Sequence, residues 1–166
     1  PGGGQERGLR SGTVDVAGAV ALAAALEEVV AQRGRTREWM GVLTDRVLAG
    51  LPEGVRPTIG PDTVTAPSIL HLSLDTAHPE AVLMAMDAAG VMVSAGSACH
   101  AGVTRPSAVV LAMGRDEREA LGVLRVSVGD STTTDDVDAL LAALPGALAA
   151  GRTLDGRDRA RVGVRS

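Results

Sequence analysis

The sequence predicts a small α+β layer in which a sheet is covered by helices. Three observations carry this. The chain has 166 residues, room for one compact domain. Hydrophobic residues make up 45% of it, a globular and not a disordered composition. Periodicity alternates between helical and strand-like along its length, in the order helix, strands, helix, strand, helix, strand, helix. Trp39 is the sole aromatic residue, so the core has to be built from Leu, Val, Ala, Ile and Met.

Residues 1–13 read as a loop rich in glycine and charge, and Pro1 opening into a glycine run reads as a piece of a longer protein. From Val14 to about Leu51, Val16, Val20, Ala23, Ala24, Val30, Trp39, Leu43 and Val47 recur broadly at helical spacing. Thr13 fits as the N-cap of this helix, with Asp15 in its first turn. Gly34 is a point where it could kink or divide. Pro52 and Gly54 end it.

Val55–Ile59 and Ser68–Leu74 read as strands around the turn residues Gly60, Pro61 and Asp62. Pro79 starts a helix carrying Val82, Leu83 and Met86, which Gly90 ends. Val91–Ser94 reads as a short strand, 95–105 as a loop of small residues, and Pro106–Met113 as a short helix stopped by Gly114. Leu124–Val128 alternates as a strand. Thr133 caps the last helix, with Asp136 completing a capping-box variant. Val137, Leu140, Leu141, Leu144 and Leu148 would form its buried face, with a kink or an early stop expected at Pro145 and Gly146.

Charge and cysteine content narrow the function. A net charge of -4 argues against a general nucleic-acid binder. All sixteen basic residues are Arg, so the chain has no Lys. Arg152, Arg157, Arg159, Arg161 and Arg165 make residues 151–166 basic, which reads as a solvated flexible tail in preference to an anion-binding arm. The single Cys99 excludes an intrachain disulfide and suits a reducing cytoplasm. No apolar run approaches the ~20 residues of a membrane span.

Three segments could carry chemistry. In SAGSACHAG, residues 94–102, Cys99 stands among small residues that permit a mobile backbone. A thiolate there would be a nucleophile, whereas composition alone favours a small buried Cys in a tight turn. Arg125, amid apolar strand residues, either is buried and needs a partner or lies on the polar face of an edge strand with Ser127; the pattern leaves both open. The loop GGGQERGLRSGT, residues 2–13, could present N–H groups and the Thr13 hydroxyl to an anion, but the residues alone favour an ordinary N-cap. His71 and His78 read as structural, and the His and Cys positions show no zinc spacing.

Together GGGQERGLRSGT, APSILHLSL, VMVSAGSACHAG, PSAVVLAMG and LRVSVGDSTTTDDVD, in this order, resemble the cysteine desulfurases with a long active-site cysteine loop. The likeness covers roughly residues 1–145, and the combination is specific where GSAC alone would be weak. It implies a fold-type I pyridoxal-phosphate enzyme of the class V aminotransferase group. This chain would supply the end of the large domain (1–13), then the connecting helix and small C-terminal α+β domain (14–150), then the Arg-rich tail (151–166). It implies a cytoplasmic homodimer acting on L-cysteine. Cys99 would take the sulfur as a persulfide, giving L-alanine, and Arg125 would bind the substrate carboxylate. Thr13, with Gly12 and Ser11 in support, would contact the cofactor phosphate across the dimer. The persulfide would pass to an iron-sulfur scaffold, with Cys99 open to iron-sulfur contact there, or to a tRNA-thiolation enzyme. The Lys that binds pyridoxal 5'-phosphate covalently is absent, so this chain alone is expected to be inactive. A selenocysteine lyase or another enzyme of the same fold is the nearest rival. A non-catalytic binding or dimerisation module is the rival of another class.

Overall fold

The computed structural model describes residues 2–95 and 105–163, with the side chains of 161–163 left aside. The chain divides into two units, residues 1–36 and 37–166.

The first unit holds a single 3-10 turn at Gln5–Gly8 and the first half of α1, Val16–Ala49. The turn was not expected from the sequence. Glu6 and Arg7 adopt positive φ within it, at 51° and 57°. The helix runs unbroken through Gly34, so the expected division does not occur.

The second unit is a four-stranded sheet packed on helices. β1 (Val55–Pro57), β2 (Ile69–Leu74), β3 (Ser94–Ala95) and β4 (Val123–Ser127) lie in the order β1-β2-β4-β3. All three pairings are antiparallel. Side chains alternate across a strand, so the register fixes two faces. Leu72, Leu74, Leu124 and Val126 point to one face. There they meet Leu43 and Val47 from the end of α1, Val82 and Met86 of α2 (Pro79–Ala88), and Leu140, Leu144 and Leu148 of the last helix. The aliphatic core foreseen from composition is this cluster. Trp39 sits at its edge, its indole N–H donating to the Thr132 carbonyl at 3.0 Å.

The opposite face carries His71, Ser73, Val123, Arg125 and Ser127. Two short helices, α3 (Ala108–Ala112) and α4 (Glu117–Leu121), cover one end of it through Val110, Ala120 and Val123. Ser107 caps α3 and Asp116 caps α4. The sequence reading missed α4, and it made the strand at 91–94 too long: only Ser94 and Ala95 pair.

The last helix, α5 (Thr134–Gly163), corrects two expectations. Its start is as foreseen: Asp136 accepts from the backbone N–H and the hydroxyl of Thr133, both at 2.8 Å, and its own N–H donates back at 3.2 Å. These bonds hold the Asp136 carboxyl below its usual range. But the helix does not stop at Pro145, and residues 151–163 are not a tail. Leu144, Ala147 and Leu148 are buried on either side of the proline. Further on, Gly151 packs against Thr76 so closely that a Cβ would meet its side chain at 2.8 Å. Asp155 is 4% exposed and accepts from the Ala77 N–H. Tertiary packing outweighs the lost helical hydrogen bond at the proline. This helix also has the length and composition of a membrane span over Thr134–Ala160, unlike the expectation of no such run, but it carries a large share of the core of this unit.

Candidate functional site

Arg125 sits at the centre of the sheet's second face. The strand bearing it is internal, between β2 and β3, so of the two readings left open the edge strand is the one that does not apply. Its side chain is nevertheless exposed. The register sets Arg125 opposite His71 on β2 and opposite Ser94 on β3. One guanidinium N–H donates to the Ser94 hydroxyl at 3.4 Å. Among the described residues no carboxylate pairs with it, so most of its donors remain for a ligand.

Ser94 and Ala95 are the last described residues before the segment that contains Cys99. Cys99, and the reading of it as nucleophile or buried thiol, lies outside the described residues.

Beside Arg125 runs a line of buried polar groups that sequence reasoning did not find. His71 Nδ1 lies 2.9 Å from the Thr58 hydroxyl. That hydroxyl lies 2.8 Å from the hydroxyl of Ser73. Ser73 donates to Glu119 at 3.1 Å, and Glu119 pairs with Arg56 at 2.9 Å and with Arg115 at 3.7 Å. Thr58 and Ser73 are almost wholly buried. Burial, and next the charge of Arg125, push the His71 imidazole below its ordinary value, so it is neutral beside the guanidinium. The only sequence signal was alternation, which puts residues 71 and 73 on the polar side of β2; the partner Glu119 comes from the helix that was missed.

The candidate phosphate loop belongs to the first unit. Thr13 is not the N-cap of α1. The helix starts at Val16, and the Asp15 carboxylate accepts from the Gly18 N–H at 2.9 Å, which makes Asp15 the cap. An aspartate at that point takes up one of the free N–H groups of the helix N-terminus. The Gly12 N–H is also committed, to the Gln5 side chain at 3.2 Å. Arg10 folds back on the carbonyls of Gly12 and Thr13. What the loop offers is the exposed hydroxyls of Ser11 and Thr13, neither with a hydrogen bond among the described residues.

His78, read as structural, bonds Asp158 at 3.0 Å and lies 3.9 Å from Asp155, at the far end of α5. It belongs to the packing of that helix.

The family model of class V aminotransferases matches residues 3–140. An IscS-like cysteine desulfurase of Mycobacterium tuberculosis is 40% identical over 154 residues, covering 91% of this chain and 39% of that protein. A mitochondrial cysteine desulfurase of Drosophila melanogaster is 39% identical over 141 residues, covering 82% and 30%. A solved NifS-like protein superposes with a TM-score of 0.72 at 31% identity, over 89% of this chain and 37% of its own. The chain therefore spans about two fifths or less of the length of these relatives. With its sheet, its two flanking helical layers and the family pattern running through most of its length, this chain belongs to the class V aminotransferase family.

Proposed function

We propose that this chain is the C-terminal part of a cysteine desulfurase that uses pyridoxal 5'-phosphate, and that Arg125 holds the carboxylate of L-cysteine while Cys99 accepts its sulfur. The observation that carries the reading is the placement of Arg125. Its guanidinium is exposed on an internal strand, lacks a carboxylate partner among the described residues, and is bonded to Ser94, five residues before Cys99 in the sequence. A planar fork with free donors suits bidentate binding of a carboxylate.

The cofactor fits this chain in part. The free hydroxyls of Ser11 and Thr13 suit donation to a phosphate oxygen, with Gly12 shaping the turn at φ 99°. The chain has no Lys for covalent attachment, so that group has to come from elsewhere in the protein. Once bound, the cofactor supplies an electron sink for cleavage of the carbon–sulfur bond. Arg125 fixes the acid end of the amino acid, which fixes where its sulfur lies. The Cys99 thiolate takes that sulfur as a persulfide, and L-alanine departs. The persulfide then passes to a sulfur-acceptor protein such as an iron-sulfur scaffold. A homodimer, with Thr13 reaching the partner's phosphate, belongs to the same reading.

The test uses the complete protein. Arg125→Gln removes a charge-assisted pair worth about 1.5–3 kcal/mol, so the KM for L-cysteine should rise about 10- to 100-fold. Cys99→Ser should abolish sulfide release and persulfide labelling. The chain of 166 residues alone, mixed with cofactor and L-cysteine, should release no sulfide. An Arg125→Gln enzyme with unchanged KM, or sulfide from the isolated chain, defeats the proposal. Preference for selenocysteine over cysteine would move it to a selenocysteine lyase.

A further inference from the structure

We infer that His71 is a second carboxylate-binding residue beside Arg125, taking a proton on its Nε2 when an acid group settles on the guanidinium. The inference rests on the reading of Arg125 given above and adds a residue to it.

The hydrogen-bond line behind His71 fixes its tautomer. Ser73 spends its hydroxyl proton on the Glu119 carboxylate. Ser73 can then only accept from Thr58, so Thr58 spends its own proton on Ser73. Thr58 therefore accepts from His71, and the proton of the neutral imidazole sits on Nδ1. Nε2 is left as a lone pair without a hydrogen bond among the described residues. The ladder sets this half-buried residue directly across from Arg125, on the same face of the sheet. Directly opposed residues have Cβ atoms about 4.5–5.5 Å apart, so both side chains reach a single small ligand.

Protonating Nε2 costs the line nothing, because the imidazolium keeps the Nδ1–H that Thr58 accepts. What disfavours the proton is burial together with the positive charge of Arg125. A bound carboxylate cancels that charge and gives the new Nε2–H an acceptor. The proton comes from solvent, and no bond to carbon or sulfur changes. Among the described residues the charge that acts on His71 is that of Arg125 on β4, while Arg56 of β1 and Arg115 are paired to Glu119 of α4 at the other end of the line. Ser94 of β3 is neutral. Hence the acid group is the switch, and binding is linked to proton uptake: affinity is greatest below the pH at which His71 titrates in the complex, and falls as pH rises through it.

The test uses the complete, cofactor-loaded protein and propionate, a carboxylate with neither amine nor thiol. Two quantities are read between pH 6 and 8: the inhibition constant of propionate against L-cysteine, and the titration midpoint of His71 followed by its ring carbon resonance in isotope-labelled protein. Saturating propionate should raise the midpoint by about one pH unit, and its binding should tighten as pH falls towards 6, by at most about tenfold. In His71→Gln, which cannot ionise, affinity should be weaker at pH 6 and flat with pH. If Arg125→Gln binds propionate as the wild type does, the carboxylate role of Arg125 is wrong and this inference goes with it. If Arg125→Gln loses binding but the His71 midpoint stays put and His71→Gln keeps the wild-type pH dependence, the inference about His71 alone is overturned.

Discussion

Asp15 decides what Thr13 is free to do. Both residue types cap helices, and from the sequence Thr13 looked like the cap and Asp15 like a first-turn acid. The backbone turns one step later, and the carboxylate takes the Gly18 N–H. Asp15→Ala should therefore loosen the start of α1 by about 0.5–2 kcal/mol, seen as faster amide exchange over residues 16–19. Thr13→Ala should leave that exchange unchanged. A reversed pattern would restore Thr13 as the cap and put the phosphate role of its hydroxyl in doubt. Single positions were legible where their chemistry is local. Thr133 and Asp136 form the foreseen capping box because both partners lie within one turn. Arg125 was ambiguous because its status depends on which strands flank it, and a single strand pattern does not say that β3 pairs on its open side. The relay behind His71 was illegible for the same reason: its terminus, Glu119, comes from 48 residues further along the chain.

At the scale of elements, the end of α5 shows how local rules were overruled. Proline, glycine and a run of arginines argued for a stop and a solvated tail. The helix continues because its far end has something to bind. Asp155 lies against the turn between β2 and α2. Burial alone would raise its carboxyl, but the Ala77 N–H, the Thr76 hydroxyl, Arg118 and His78 together hold it below its usual range. The ion pairs of Arg118 and Arg152 with Asp75 and of Arg118 with Asp155 make the same connection. Since the folded carboxyl titrates below the unfolded value of about 3.9, its contribution is complete above that pH. It is lost as pH falls through the lower, folded value. Amide protection over residues 152–160 should therefore hold from neutral pH to about pH 4 and decline below it. Asp155→Ala leaves the half-buried Ala77 N–H and the Arg118 guanidinium without their carboxylate and should cost about 1–3 kcal/mol at neutral pH, read from thermal or urea unfolding. If the variant unfolds like the wild type, the end of α5 is not docked as described. The longer helices and the two central strands were legible because their apolar periods are sustained. The short α4 was not: EREAL is polar but for its last two residues, and its reason to be helical is the Asp116 cap and the packing of Ala120 on Val110 and Val123.

On the scale of the whole molecule, the two units differ in what holds them. The second has a closed aliphatic core between one face of the sheet and three helices. The first half of α1 has none. Val16, Val20, Leu22, Leu26, Val29 and Val30 are all more than half exposed, and they spread over about half the circumference of the helix at 3.6 residues per turn. A helix of this kind draws its stability from packing of its apolar side, and isolated helices of about 15 residues are marginal in water. From α1 onward, then, one continuous helix joins a stretch with tertiary support, where Leu43 and Val47 are fully buried, to a stretch without it. In the chain of 166 residues alone, amide exchange should be slow over 43–49 and approach unprotected rates over 16–30. In the complete desulfurase proposed above, where the rest of the protein is available to cover that side, residues 16–30 should become protected to a degree comparable with 43–49. Protection of 16–30 in the isolated chain at low concentration would mean that the first half of α1 is held by forces this structure does not contain, and would separate its stability from the remainder of the protein altogether.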